Sequence, residues 1–530
     1  MSIPRWSPRT TYTRQETIIN KRLGTTRKLF SFLRAHRAEL FDDGFQAELE
    51  RMYRASGAGD KPIPPALLAM VCLLQAYTKV SDAEAVQLCV VDLRWQMVLD
   101  CLGAEEAPFS QGALCDFRNR LIAAELDARL LTRTVELAQQ HGGFDARKMP
   151  NALRLAIDSA PLEGAGRVED ALNLLGHAAR KVVICAAALC GATMEEVATA
   201  AGIPVVLAPS IKRGLDREWG PDGAMRDAVT TLVKQLDALE TWLQTNLPKE
   251  LARPPLQPLV ATLAQLRAQD LEPDPSNGGT RIREGTAADR RISVEDPDMR
   301  HGRKSKSQRI NGYKRHIAVD LDTRLIVSCA VAPANRPEQE ALEPLLADLS
   351  TFQRHLAELY VDRGYIASPQ IGALGATGTT VFCKPWIAQN DNGRFTKADF
   401  KIDIRRKTVT CPAGETRRIQ LGAKVSFGQK TCLPCHLRDQ CTINATHGRQ
   451  LRIAQDEPLQ KKLRALIASP RGRDNLRKRV AVEHRLAHLT RRQGRRARYL
   501  GERKNLFDVR RTAAVENLIV MHQTEILNAA

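Results

Sequence analysis

Leu153, Leu155 and Ile157 take every second position of the run Leu153–Asp158, so in extended backbone they share one face. The preceding stretch, residues 1 to about 145, instead repeats its apolar side chains at intervals of three and four. A chain that changes period in this way is neither all-helical nor all-β. It must pack helices against a sheet, and the sheet begins near residue 153.

The helical part carries its own punctuation. Ser81-Asp82-Ala83-Glu84 reads as a capping box. Pro64 and Pro65 stand at a helix start ahead of Leu67, Leu68, Val71 and Leu74. Ser110 caps a helix bearing Leu114, Phe117 and Leu121, with Arg118 and Arg120 expected to face outward. Such a unit suits DNA-end recognition or dimerisation equally well. Beyond the first strand, a helix is expected from about Val168 to Leu189. Residues 210 to 275 read as a helical hairpin built on Val229, Leu232, Leu236 and Leu239, then on Leu256, Leu259, Leu263 and Leu266. Arg300–Arg315 shows no apolar period and reads as a basic loop. A hairpin around Asp322-Thr323, a helix opening at Pro337 and a short strand ending at Asp362 follow. Val381–Cys383 reads as a further strand.

Composition narrows the function. At about 150 residues per domain, 530 residues allow three or four domains. No apolar run reaches the ~18 residues that a spanning helix needs. The first residues lack the apolar core of a secretory signal. We therefore expect a cytoplasmic protein with no membrane partner. Net charge is +19, which favours a polyanionic partner. Residues 471–511 hold fifteen Lys or Arg against four Asp or Glu, a net +11, so one phosphate-tracking surface is expected there.

Cutting phosphodiesters without a covalent intermediate calls for a few rigid carboxylates that hold two divalent ions about 4 Å apart. Hard cations such as Mg²⁺ or Mn²⁺ take oxygen ligands. Asp158 and Asp362 each follow an apolar strand and precede a turn. Ordinary turn chemistry explains either one alone. Glu483 is less ordinary, because its helical neighbours at three and four positions include Val480, Leu486 and Ala487, with Arg479 the available ion-pair partner. Asp320 and Asp322 flank the hairpin and are read as structural.

Of twelve cysteines, eight lie in apolar surroundings and read as reduced core residues. Cys411, Cys432, Cys435 and Cys441 form a turn-borne set whose spacing fits structural Zn²⁺, or reduced thiols packed in a small loop.

Several strings together resemble DDE-type transposases of bacterial insertion sequences. They are FSQGALCDFRNRL, IDSAPLEGAGRVEDALNLLGH, RKSKSQRINGYKRHIAVDLDTRLIVSCAVAPAN, LYVDRGYIAS and the stretch from Arg477 to Leu518 around Glu483. The resemblance implies an α/β chain in which a ribonuclease-H-like mixed sheet has flanking helices. An all-α domain at 1–145 precedes a core at 146–400, interrupted by a helical insertion at about 190–290. A Cys-rich insertion at 401–450 and a basic helical part at 451–530 follow. It implies two Mg²⁺ or Mn²⁺ ions on Asp158, Asp362 and Glu483. It also implies double-stranded DNA held by Arg479, Arg485, Arg491, Arg492, Arg495 and Arg496, a homodimer on DNA, and cutting at element ends followed by joining to target DNA. The chain departs from a related branch at Leu476 and Thr490, where that branch places Tyr and Lys. Alternatives are an inactive DNA-binding derivative and a tyrosine-type recombinase using His488, Arg491 and Tyr499.

Overall fold

The computed structural model describes residues 3–24, 28–53, 61–141, 152–215, 223–276, 278–304, 307–349, 354–387, 393–444 and 446–529. Its N-terminal helices include α1 (Leu29–Leu40), α2 (Pro65–Thr78), α3 (Asp82–Val91), α4 (Gln111–Ala123) and α5 (Leu126–Gln140). Pro65 sits in the first turn of α2, where its missing N–H has no intrahelical partner to lose. Every residue from Pro65 to Ala76 is buried, as befits a helix apolar on all sides. The expected capping box at Ser81 and Glu84 starts α3, and Ser110 caps α4. Arg118 departs from expectation. It is buried and pairs with Asp82 at 2.8 Å, joining α4 to α3, whereas Arg120 is exposed.

The chain then enters β1 (Ala152–Glu163), followed by a helical body containing α6 (Ala171–Cys190), α7 (Gly223–Asn246) and α8 (Leu256–Asp270). These helices share a separate core that includes Leu175, Val182, Leu232, Leu239 and Leu266. By length and mean hydropathy (1.3), α6 qualifies as a membrane span, but 56% of it is buried inside this body.

The sheet resumes with β2 (Arg300–Arg303), β3 (Arg309–Asp320), β4 (Ile326–Pro333), β5 (His355–Tyr360) and β6 (Thr380–Phe382). Strand order is β2-β3-β1-β5-β6, with β4 beside the second half of β3. The pairs β1/β3, β2/β3 and β3/β4 are antiparallel, while β1/β5 and β5/β6 are parallel. The chain is thus mixed α/β with a mixed sheet.

The structure departs from two local expectations. Arg300–Arg315 is not a loop but supplies β2 and the start of β3. Asp158 does not end its strand, since β1 runs five residues further. Main-chain pairing along the long β3 carries both segments, so neither needs an apolar period to form. Pro161 is tolerated because β5 ends opposite Ala156, leaving that side of β1 without a ladder partner at Pro161.

Beyond β4 lies α9 (Leu342–Leu349). A Cys-bearing segment builds one sheet from β7 (Lys401–Asp403), β8 (Thr408–Thr410) and β9 (Thr416–Arg418), and another from β10 (Lys424–Ser426) and β11 (Gln450–Arg452). Phe400, Val409, Phe427 and Ile453 form its own small core. Two final helices, α10 (Val480–Gln493) and α11 (Glu502–Ala529), return to the sheet. Phe507, Val509, Ala513, Val515 and Leu518 of α11 belong to the same core as the N-terminal helices and the sheet.

Candidate functional site

The register of β1 on β5 pairs Leu155 with Leu359 and Ala156 with Tyr360. Asp158 lies two residues beyond the last pair on β1 and Asp362 two residues beyond it after β5, near enough for the charge of Asp362 to act on Asp158. Asp362 follows β5, and its carboxylate accepts the Arg363 N–H at 2.7 Å as the chain enters a short 3₁₀ turn. Glu483 comes from the first turn of α10. All three carboxylates line one open groove of about 940 Å³.

One guanidinium joins two of them. Arg479 Nη1 donates to Asp158 Oδ2 at 2.9 Å, and its Nη2 donates to Glu483 Oε1 at 2.5 Å. Glu483 is exposed, not buried as its apolar neighbours imply. Val480 is exposed as well, so the apolar stripe of α10 faces the core through Val482, Leu486 and Leu489 instead. Asp158 is half-buried. Burial pushes its pKa above the ordinary carboxylate value, and the nearby charges of Glu483 and Asp362 push the same way, against Arg479 and the Ser159 N–H.

The groove contains groups that the sequence pattern did not single out. Glu338 lines it and accepts from the Ser159 hydroxyl at 2.5 Å. A Cβ on Gly364 would lie 2.0 Å from Glu338 Oε2, so Gly364 is small to admit this carboxylate. His316, opposite Ser159 on β3, is fully buried and meets the Tyr365 hydroxyl at 2.7 Å through Nδ1. Burial holds its pKa down to about 3, so the ring is neutral and fixes the turn after Asp362 from below. Buried Arg315 donates to Gln493 Oε1 at 2.6 Å, to the Gly494 carbonyl at 2.9 Å and to the Pro161 carbonyl at 3.2 Å. It thereby clamps the end of α10 to β1. The partners of Arg315 lie more than 150 residues from it in sequence, and nothing in sequence spacing marks them.

The basic residues expected to face DNA divide. Arg491 and Arg495 are exposed and line the groove, as does Lys304. Arg495 and Ala497 exchange main-chain hydrogen bonds with Glu163 at the end of β1. Arg496 is exposed but donates to the carbonyls of Gly164 and Ala165. Arg485 and Arg492 do not line the groove. Both turn toward buried Glu516 of α11, at 3.9 Å and 2.5 Å. Separately, His301, Arg303, Arg309, Lys314 and Arg336 line a second cavity of about 550 Å³ with no acidic residue in its lining.

Cys411, Cys432, Cys435 and Cys441 line one cavity of about 210 Å³ with Phe395 and Phe427. Burial raises the Cys441 thiol pKa, and the other three sulfurs add to the effect. Four soft thiols around one space fit a zinc ion in chemistry. Among the described residues, however, the one group of three donors lying within 4.8 Å of one another is His36, Glu39 and His141.

Two family models match the chain. A transposase DDE domain matches residues 410–522, which include Glu483 and the four cysteines, and a transposase domain (DUF772) matches residues 27–120, which include α1 to α3. No curated protein and no solved structure matches significantly. Both matches are transposase models, and they support placing this chain among the DDE-type transposases of insertion sequences.

Proposed function

We propose that the chain cuts a phosphodiester at an element's end and joins the freed 3′-hydroxyl to target DNA, using Asp158, Asp362 and Glu483 on a ribonuclease-H-like sheet. The observation that carries this reading is the shared groove: carboxylates from β1, from the turn after β5 and from the first turn of α10 line it together with Lys304, Arg479, Arg491 and Arg495. The donor set is chemically right for Mg²⁺ or Mn²⁺, since it offers hard oxygens and Asp158 is crowded by like charge. Two divalent ions held there supply Lewis acidity and a nucleophilic oxygen.

The chain's own groups do the rest. Arg479 holds one oxygen of Asp158 and one of Glu483, and so competes with an ion for both. Once released, its planar fork remains at the groove, suited to a DNA phosphate. Arg491, Arg495 and Lys304 hold the backbone at the groove. The acid-free cavity around Arg303 and Arg309 offers a second basic surface for backbone phosphates. Tyr499 does not favour the recombinase alternative, because its hydroxyl is buried and its ring stacks among Arg118, Arg498 and Arg511.

The test is a cleavage and strand-transfer assay on labelled element ends with Mg²⁺ or EDTA. Asp158→Asn, Asp362→Asn and Glu483→Gln should each abolish both steps and leave DNA binding intact. Asp320→Asn should stay within a few-fold of wild type, because Asp320 only closes the β3–β4 turn through Thr323. Activity in Asp158→Asn, or a covalent protein–DNA adduct, would overturn the reading.

A further inference from the structure

A second cluster of metal-ligating side chains lies among the N-terminal helices. His36 and Glu39 stand one turn apart on the less buried face of α1. His141 caps the C-terminal end of α5. His36 Nδ1 is 3.0 Å from Glu39 Oε2, and His141 Nε2 approaches the same oxygen. The two imidazole rings meet edge-on with centroids 4.6 Å apart. One ligand atom from each residue lies within 4.8 Å of the other two.

The scaffold beneath them is fixed. Buried Arg133 of α5 donates to the carbonyls of Glu39 and Leu40 at the end of α1, and to Asp42 just beyond it. This holds the two helix ends in register whether or not anything binds. Phe32 packs against the His36 ring at 4.4 Å and limits its rotation. All three ligand groups remain partly open to solvent, with side chains 17%, 46% and 30% exposed in the order His36, Glu39, His141. An ion can therefore enter.

We propose that His36, Glu39 and His141 bind a divalent transition-metal cation of the zinc type, tying the end of α1 to the end of α5. Two imidazoles and one carboxylate form a borderline donor set that suits Zn²⁺, Co²⁺ or Ni²⁺ and not Mg²⁺ or Ca²⁺. Metal–ligand bonds of ~2.0–2.1 Å put tetrahedral donors ~3.4 Å apart, so modest side-chain adjustment closes the group. Three protein ligands leave one position for water. Because His141 ends α5 ahead of β1, the ion fixes the point from which the chain leaves the helices for the sheet. The site is independent of the groove chemistry and of the thiol cavity.

Cobalt(II) reports its own ligands in visible absorption and separates the three candidate centres. Co²⁺ is titrated into the metal-stripped full chain. The expected result is a low-symmetry d–d band without near-UV thiolate charge transfer, and a rise in the thermal midpoint. The His36→Gln/His141→Gln double variant should lose this band and the midpoint rise. Its Co²⁺ affinity at this site should fall by roughly a hundred-fold or more, since loss of an outer partner alone costs ~10–100-fold. Thiolate-bound Co²⁺ and weakly absorbing carboxylate-bound Co²⁺ should persist in that variant. Far-UV circular dichroism without metal separates lost ligation from lost folding, and Glu39→Gln, at the most exposed of the three positions, gives a milder second variant that should also weaken binding. An unchanged band in the double variant overturns the proposal. So does a wild-type chain showing only thiolate and octahedral cobalt, which would mean that protons alone bridge the imidazoles and the carboxylate.

Discussion

Asp158 is a carboxyl group whose surroundings disfavour its charge. Its folded pKa is raised, by burial first and by Glu483 and Asp362 in addition. A carboxyl raised in this direction binds its proton more tightly in the folded state. It contributes stability below the unfolded value and loses that contribution as pH rises through the folded one. At neutral pH and without metal, ionised Asp158 therefore costs stability. Asp158→Asn should raise the thermal midpoint of the metal-free chain at pH 7. The gain should shrink toward zero as the pH falls into the acid range, where wild type is protonated too. Unfolding scans in EDTA across pH check this, and a variant less stable than wild type at pH 7 would show that the pairing with Arg479 dominates instead.

At the scale of elements, α10 explains why charge counting overstates the DNA surface. Its outer side presents Arg491, and the extended segment after it presents Arg495. Arg485 and Arg492 instead hold α10 to Glu516 of α11. Neutralising Arg491 and Arg495 should lower the slope of log K against log salt by ~0.9 for each DNA phosphate left without its cation. Neutralising Arg485 and Arg492 should leave the slope unchanged and lower stability, because Glu516 would remain buried without its cations. An equal loss of slope in both pairs would place all four on DNA. The Cys-bearing element has only a small core, so a shared ion matters more there. If zinc fills the thiol cavity, Cys432→Ser should remove about one zinc per chain by elemental analysis and expose residues 401–452 to protease. Full zinc content in that variant would exclude the site.

On the scale of the whole molecule, α11 binds the N-terminal helices to the sheet. Asp127 of α5 is buried and accepts from Arg503 and Arg510 of α11, while Arg510 also reaches Asp348 of α9. Asn517 donates to Thr134 of α5 and to the Ile326 carbonyl of β4. Helices and sheet therefore share one core, whereas the helical body at α6–α8 has its own. Asp127→Asn should cost about 1–3 kcal/mol, because partly exposed Arg503 loses a charged acceptor and Arg510 is left with Asp348 alone. Hydrogen exchange should show α2, α5, β4 and α11 opening together, with α7 and α8 opening at a different free energy. Separate opening of α5 and β4 would refute this coupling.

Local signals were legible in the chain. Period, caps and prolines set α2, α3 and α4, and strand alternation with a turn signal set the β3–β4 hairpin, because these depend on neighbours a few residues away. The three carboxylates stood out by type and by what surrounds them in sequence. Placement among distant partners was not legible. Long pairing with β3 carried β1 past Asp158, and the same pairing turned a basic stretch without apolar period into β2 and β3. Arg118, Arg485 and Arg492 read as surface cations but found carboxylates in the fold, Asp82 partly buried and Glu516 buried, while Glu483, bracketed by apolar positions, is exposed. Glu338, His316 and Arg315 carry no local mark, since their roles arise only where β1, β3 and α10 meet. Propensity and periodicity act within a helix turn or a strand, whereas burial and ion pairing are decided by elements that meet only once the chain has folded.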